Sequence, residues 1–214
     1  MLENYPNAVL LDHPIIQHKI SHLRDKNTPN GQFRELVKEI SMLEGYEALR
    51  RLPTEMRPIS TPVCDTVQPF VVQHKLCFVP ILRAGMGMAD GLAQLLPQAH
   101  FGHIGLYRDE ITKQPHEYYC KLPKNLAELD VYLIDPMLAT GGSAIDAVKM
   151  LRDHGAKRIS FLCLIAAPEG VKAFCEANPD VPLYMCALDE KLNENAYIVP
   201  GLGDAGERIF GTQQ

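Results

Sequence analysis

The chain has 214 residues, 46% of them hydrophobic and 22% charged, with a formal net charge of -5. That composition suits one compact domain with a sizeable core, and the negative balance, without any Lys/Arg block, argues against a general nucleic-acid surface. No apolar run is long enough to span a membrane, and the opening Met-Leu-Glu-Asn-Tyr-Pro has neither a basic leader nor an apolar signal core, so the expected location is cytoplasmic.

In chain order, the first segment reads as a helix. Pro14 suits a first turn after Asp12-His13, and Ile16, Ile20 and Leu23 recur at helical spacing until Asn27-Thr28-Pro29 interrupts them. A second helix follows with Thr28 or Asn30 as its cap. Phe33, Leu36, Val37, Ile40, Leu43, Tyr46 and Leu49 form its buried stripe, and Arg50-Arg51 before Pro53 makes a stop. His13, His18 and His22 lie four or five apart, but nothing nearby completes a metal shell, so they read as surface or packing residues. Prolines 53, 58, 62 and 69 forbid a long helix and suit short edge strands or a hairpin outside the main sheet.

Regular alternation begins at Leu76. Apolar strands are expected over 76–82, 103–107, 131–134, 159–166 and 183–188, separated by helices over 86–96, 144–154 and 169–177 except in the second gap. This is the pattern of a mostly parallel sheet covered on both faces, with a ligand beyond the carboxyl ends of the strands. Gly155 after His154, and Pro168 before the next helix, are the expected punctuation. The six cysteines are scattered without a Cys-x-x-Cys pair, several within apolar runs, and read as reduced core thiols. Met86, Met88, Met137 and Met150 read as adaptable core filling.

Three polar stretches fall on the same edge of that sheet. In Asp135-Pro136-Met137-Leu138-Ala139-Thr140-Gly141-Gly142-Ser143 a strand ends at an acid and a short loop reaches a helix start. Glycines there let successive amides turn toward one anion, hydroxyls add donors, and the helix contributes its positive end. In Pro80-Ile81-Leu82-Arg83-Ala84-Gly85 an arginine stands where strand turns into helix. It can fork onto a phosphate or diphosphate, or simply cap a turn. Gly201-Leu202-Gly203-Asp204-Ala205-Gly206 follows the last strand and carries apolar neighbours, so it reads as a packed loop offering backbone groups to a flat ligand. Arg108 opens a polar excursion over 107–119 that is long enough for a mobile arm. Its alternative reading is a solvated loop charge.

Taken together and in order, these three motifs resemble the uracil phosphoribosyltransferase family, with similarity over nearly the whole chain except about 52–73. The resemblance implies a type I phosphoribosyltransferase fold in a single domain: N-terminal helices and an edge segment (1–75), a core sheet (76–190) and a C-terminal base-binding hood (191–214). It implies transfer from 5-phosphoribosyl 1-diphosphate (PRPP) to uracil, giving UMP and diphosphate. Residues 136–143 then hold PRPP, with Ala139, Thr140, Gly141, Gly142 and Ser143 gripping the 5'-phosphate. Asp135 takes the ribose hydroxyls, Arg83 and Arg108 the diphosphate, and backbone groups at Ile198, Gly203, Asp204 and Ala205 the base. Asp204 stands near a Mg²⁺ held mainly by PRPP oxygens and water. A non-proline cis peptide at the Arg83-Ala84 turn, a dimer or tetramer, and activation by GTP are further implications.

Most type I phosphoribosyltransferases resemble one another in carrying two adjacent acids after the strand, and the purine-using members carry another before Thr-Gly, where this chain has Pro136 and Ala139. That difference favours uracil over a purine. Two alternatives stay open at this point, a pyrimidine-sensing RNA-binding regulator on the same fold and a phosphoribosyltransferase for another base such as orotate. The regulator needs a basic face, which the charge of -5 does not favour.

Overall fold

The computed structural model describes residues 2–108 and 115–212, with backbone alone at 107, 108, 115 and 116. After a single helical turn at Leu2–Asn4, the chain forms β1 (Ala8–Leu10), α1 (Pro14–Arg24) and α2 (Asn30–Ala48). A hairpin of β2 (Thr54–Ser60) and β3 (Asp65–Val71) follows, then β4 (Leu76–Leu82), α3 (Met86–Leu95), β5 (His100–Phe101), β6 (His103–Arg108) and β7 (Pro115–Lys121). The remainder is β8 (Asp130–Ile134), β9 (Met137–Leu138), α4 (Gly142–Asp153), β10 (Arg158–Ala166), α5 (Pro168–Ala177), β11 (Leu183–Leu188), β12 (Lys191–Leu192), β13 (Ile198–Val199) and α6 (Ala205–Phe210).

The main sheet runs β1-β11-β10-β8-β4-β6-β7, with β5 added to β4 and β9 added to β10. Every pairing is parallel except β6 with β7. Strand alternation divides the core. Phe78, Tyr132, Ile134, Leu162, Leu164 and Cys186 face α1, α2, α3 and α6. Their neighbours Cys77, Val79, Val131, Leu133, Phe161, Cys163 and Met185 face α4 and α5. Because both faces are covered, the strands read as continuous apolar runs. The parallel order also puts the carboxyl ends of β4, β8 and β11 on one edge, so Arg83, Asp135 and Asp189 each follow a strand there.

Most expected elements stand close to their expected bounds, with α4 beginning two residues earlier than its apolar pattern. The stripe of α1 is buried at Ile16, Ile20 and Leu23 as expected, and His13 caps the helix by accepting from the Ile15 amide. The cap of α2 is different. Pro29 holds that position without a side-chain bond, while the Thr28 hydroxyl donates to the His22 carbonyl at 2.6 Å. Tyr46 leaves the stripe and is 65% exposed, and its stripe neighbours Leu43 and Leu49 are only half-buried, the buried positions of the last turns being Glu44, Gly45 and Ala48. Residues 54–71 form an antiparallel hairpin in a separate two-stranded sheet.

Four of the six cysteines (Cys77, Cys163, Cys175 and Cys186) are buried free thiols. Among the described residues no helix is long and apolar enough to cross a membrane.

Candidate active site

Asp135 follows β8, whose five residues sit in the middle of the sheet between β4 and β10. The chain is fixed around it. The Asp135 amide donates to the Leu162 carbonyl at 3.2 Å, and the Pro136 carbonyl accepts from Leu164 and Ile165, both at 3.1 Å. Met137 and Leu138 then pair with β10, and the Ala167 amide donates to Leu138 at 2.9 Å. Leu138 is buried in the core, so Pro136 and Leu138 turn their side chains away from the edge and build the floor of the loop.

At its end the loop opens outward. Gly141 takes φ +87°, a left-handed conformation that suits glycine, and α4 starts at Gly142 with no side chain capping it. The exposed hydroxyl residues Thr140 and Ser143 flank that free helix end. Gly170 of α5 presses on the loop from behind: a Cβ there would stand 2.7 Å from the Leu138 carbonyl oxygen and closer still to that of Ala139. Uncapped amides, a helix N-terminus and two hydroxyls make an anion cradle.

The turn at Arg83 abuts this loop. Gly85 packs directly on the end of β8, since a Cβ at that position would lie 2.6 Å from the Ile134 carbonyl oxygen. The peptide between Leu82 and Arg83 is cis, one bond before the expected position. Arg83 is exposed, and its guanidinium lies over the Phe210 ring at 5.6 Å.

The C-terminal segment closes the edge as a hood. β12 and β13 pair, the Leu192 amide donates to the Glu169 carboxylate at 3.0 Å, and Gly201 and Gly203 both have positive φ. A short helix follows where the glycine pattern had suggested only a loop. Asp204 is its N-cap, accepting from the Glu207 amide at 2.9 Å. Ala205 and Ile209 are buried under it. A Cβ on Gly206 would be 3.7 Å from the Ala84 Cβ, so hood and turn are in near contact.

The Asp135 and Asp204 carboxylates lie close enough at this edge to repel one another. Burial, and next the Asp204 carboxylate, push the Asp135 pKa up to about 7. The residue as a whole is half-buried. Among the described residues no group of three or more His, Cys, Asp or Glu side chains could hold a metal ion.

The three motifs of the sequence therefore meet at one edge. Ile198 and Ala205 are buried there, while Gly203 and Asp204 are exposed. The Arg108 side chain and residues 109–114, the middle of the expected arm, lie outside the described residues.

Two residues that the sequence reading passed over also belong here. Buried Asp189 and half-buried Arg24 form an ion pair beneath the hood, 165 positions apart in sequence. Asp189 follows an apolar strand as Asp135 does, and that shared signal could have marked it.

A loop that opens onto a free helix N-terminus after one strand, an arginine turn after its neighbour and a C-terminal hood, on this mostly parallel sheet, place the chain in the type I phosphoribosyltransferase fold. A purine phosphoribosyltransferase from Pyrococcus horikoshii shares that fold with TM-score 0.51 and 17% identity, over 72% of this chain and 84% of the other. A protein of Aquifex aeolicus is far more similar, with TM-score 0.91 and 36% identity over 96% of this chain and 99% of the other. The family model described as uracil phosphoribosyltransferase matches residues 9–212, and the chain belongs to that family. A uracil phosphoribosyltransferase of Clostridium perfringens is 57% identical over 203 residues, 95% of this chain and 97% of that one.

Proposed function

We propose that this chain transfers the 5-phosphoribosyl group of PRPP to uracil, giving UMP and diphosphate. The observation that carries the reading is the meeting of Asp135, the Arg83 turn and the hood at one sheet edge, in a chain of this family. In this reading the amides and hydroxyls of Ala139–Ser143 hold the 5'-phosphate, and Asp135 accepts from the ribose hydroxyls. Arg83 and Arg108 bind the diphosphate. Backbone groups at Ile198 and Gly203–Ala205 read the uracil edge.

Cleavage of the bond between C1 and the diphosphate leaves positive charge on the ribose and negative charge on the departing group. The protein's work is thus alignment and charge stabilisation, without a covalent nucleophile. Arg83 stabilises the departing charge, while the hood and cradle hold base and ribose in line and exclude water. Pro136 and Ala139 leave one carboxylate for the ribose and none to address a purine nitrogen, which supports a pyrimidine.

The donor set fits a magnesium ion held largely by PRPP and water, because among the described residues the interacting carboxylates Asp135 and Asp204 are joined by no third His, Cys, Asp or Glu that could complete a metal site. When bound, magnesium neutralises diphosphate charge. We further read the exposed hairpin, with Met56, Val67 and Phe70 on its surface, as part of a subunit contact in a homo-oligomer.

The test is one assay in which PRPP and Mg²⁺ are offered with uracil, orotate, hypoxanthine or guanine. UMP formation with uracil, at rates far above the other bases, is expected. Turnover of another base in preference to uracil would overturn the reading. Titrating GTP into the same assay checks the implied activation.

A further inference from the structure

Asp189 closes β11 at the site edge and is only 7% exposed. One of its oxygens meets Arg24 Nη2. The other accepts from Arg24 Nη1 at 2.7 Å and from the Gly201 amide at 2.8 Å. Arg24 Nη1 also donates to the Gly201 carbonyl at 2.8 Å. One partly buried ion pair thereby engages both polar backbone groups of Gly201, a residue with φ +63° whose Cβ would collide with the Ile198 carbonyl. Immediately beyond, the Leu202 carbonyl accepts from Arg208 at 2.8 Å. Among the described residues, the amides of Leu202 and Gly203 and the Gly203 carbonyl have no protein partner. The arrangement turns the Gly201 peptide groups inward and leaves those of the exposed Gly203 available.

We propose that Arg24 and Asp189 are positioning residues for the base, acting through Gly201 to set which peptide groups of the hood meet the pyrimidine ring. The proposal rests on the functional reading above. It predicts an effect on the base and little on PRPP, because α6 is anchored independently. Arg34 Nη1 donates to the Ile209 carbonyl at 2.9 Å, and Arg208 also donates to Leu23 and Asp25. With α6 in place, Phe210 stays under Arg83 and the diphosphate end is preserved.

The experiment compares wild type with Asp189→Asn and Arg24→Lys. The first keeps the side-chain shape while removing its charge. The second keeps the charge, but an ammonium cannot fork onto Asp189 and Gly201 together. Small displacements of a reactant cost large factors in rate. KM for uracil is therefore expected to rise about tenfold or more in each variant, with KM for PRPP changed less than about threefold. The double variant should be little worse than either single one, since both remove the same constraint. Equal rises in both KM values, or no rise for uracil, would overturn the proposal. Circular dichroism checks folding, and if Asp189→Asn does not fold, the milder Arg24→Lys decides. A wild-type chain inactive on uracil would instead overturn the functional reading, so the two failures are separable.

Discussion

Glu44 lies in α2 with its side chain wholly buried, and neither carboxylate oxygen has a hydrogen-bond partner. Cys163 and Cys186 are the titratable groups beside it. Burial raises its pKa well above the ordinary 4.5, and the nearby Cys163 backbone, too poorly placed for a hydrogen bond, opposes this less strongly. The native state thus keeps a proton that the unfolded chain gives up above about pH 4.5. The associated stability is complete below that pH and is lost as pH rises toward the folded pKa. Within that window wild-type stability falls by up to about 1.4 kcal/mol per pH unit from this group alone. Replacement by Met removes the unsatisfied polar group at similar volume, which should stabilise the fold by about 1–3 kcal/mol near neutrality.

Urea unfolding of wild type and Glu44→Met from pH 5 to 8 at one protein concentration measures this, since other groups cancel in the difference. The variant should gain on wild type as pH rises. A gap that is independent of pH, or a variant less stable throughout, would refute the reasoning.

Asp135 makes a related prediction about binding. With its pKa near 7 in the free protein, a ligand that needs the carboxylate should bind about tenfold more weakly for each pH unit below 7. KM for PRPP measured from pH 5.5 to 8 should show that rise, and Asp135→Asn should abolish it along with most turnover. Phe210→Ala removes the ring beneath Arg83 and, at about 0.5–1 kcal/mol for an exposed cation–π contact, should raise KM for PRPP about two- to fivefold. Gly170→Ala forces a methyl group against the Leu138 and Ala139 carbonyls, and should lower stability by about 1–3 kcal/mol in urea unfolding.

The strands and helices that pack on both sides of the sheet were legible because their periodicity is a direct consequence of burial. β4 and β11 match their expected spans, and α1 buries the three residues its spacing marked. The elements that escaped notice lack such a signature. β1 has only three residues and is held by pairing to β11, not by its own pattern. α6 is six residues long and hidden by its glycines, its start fixed by the Asp204 cap. Arg24 with Asp189, and Arg208 with Leu23, join segments at opposite ends of the chain, where no local spacing could relate them. At the site itself, the glycines and charged residues were readable because close backbone approach and anion binding restrict residue choice. Their mutual placement depended on a sheet order that pairs strands distant in sequence.

Three acids withdrawn from open solvent show how the same chemistry is put to different uses in this fold. Asp189 has its charge answered by Arg24 and the Gly201 amide, so its burial fixes backbone geometry. Glu44 has no partner, and its proton is the cheapest way to leave it buried, which explains why it should respond to pH without serving the site. Asp135 stands between them, crowded by protein and repelled by Asp204, yet accessible at the edge where the cradle opens. Its charge is destabilised in the free protein, and hydroxyl donors or a cation at that edge would restore it. A carboxylate held in that state binds a matching ligand with proton release at pH values below about 7. Proton release on PRPP binding below about pH 7 thus distinguishes Asp135 as the ligand-directed acid of the three, a distinction that burial alone would not make.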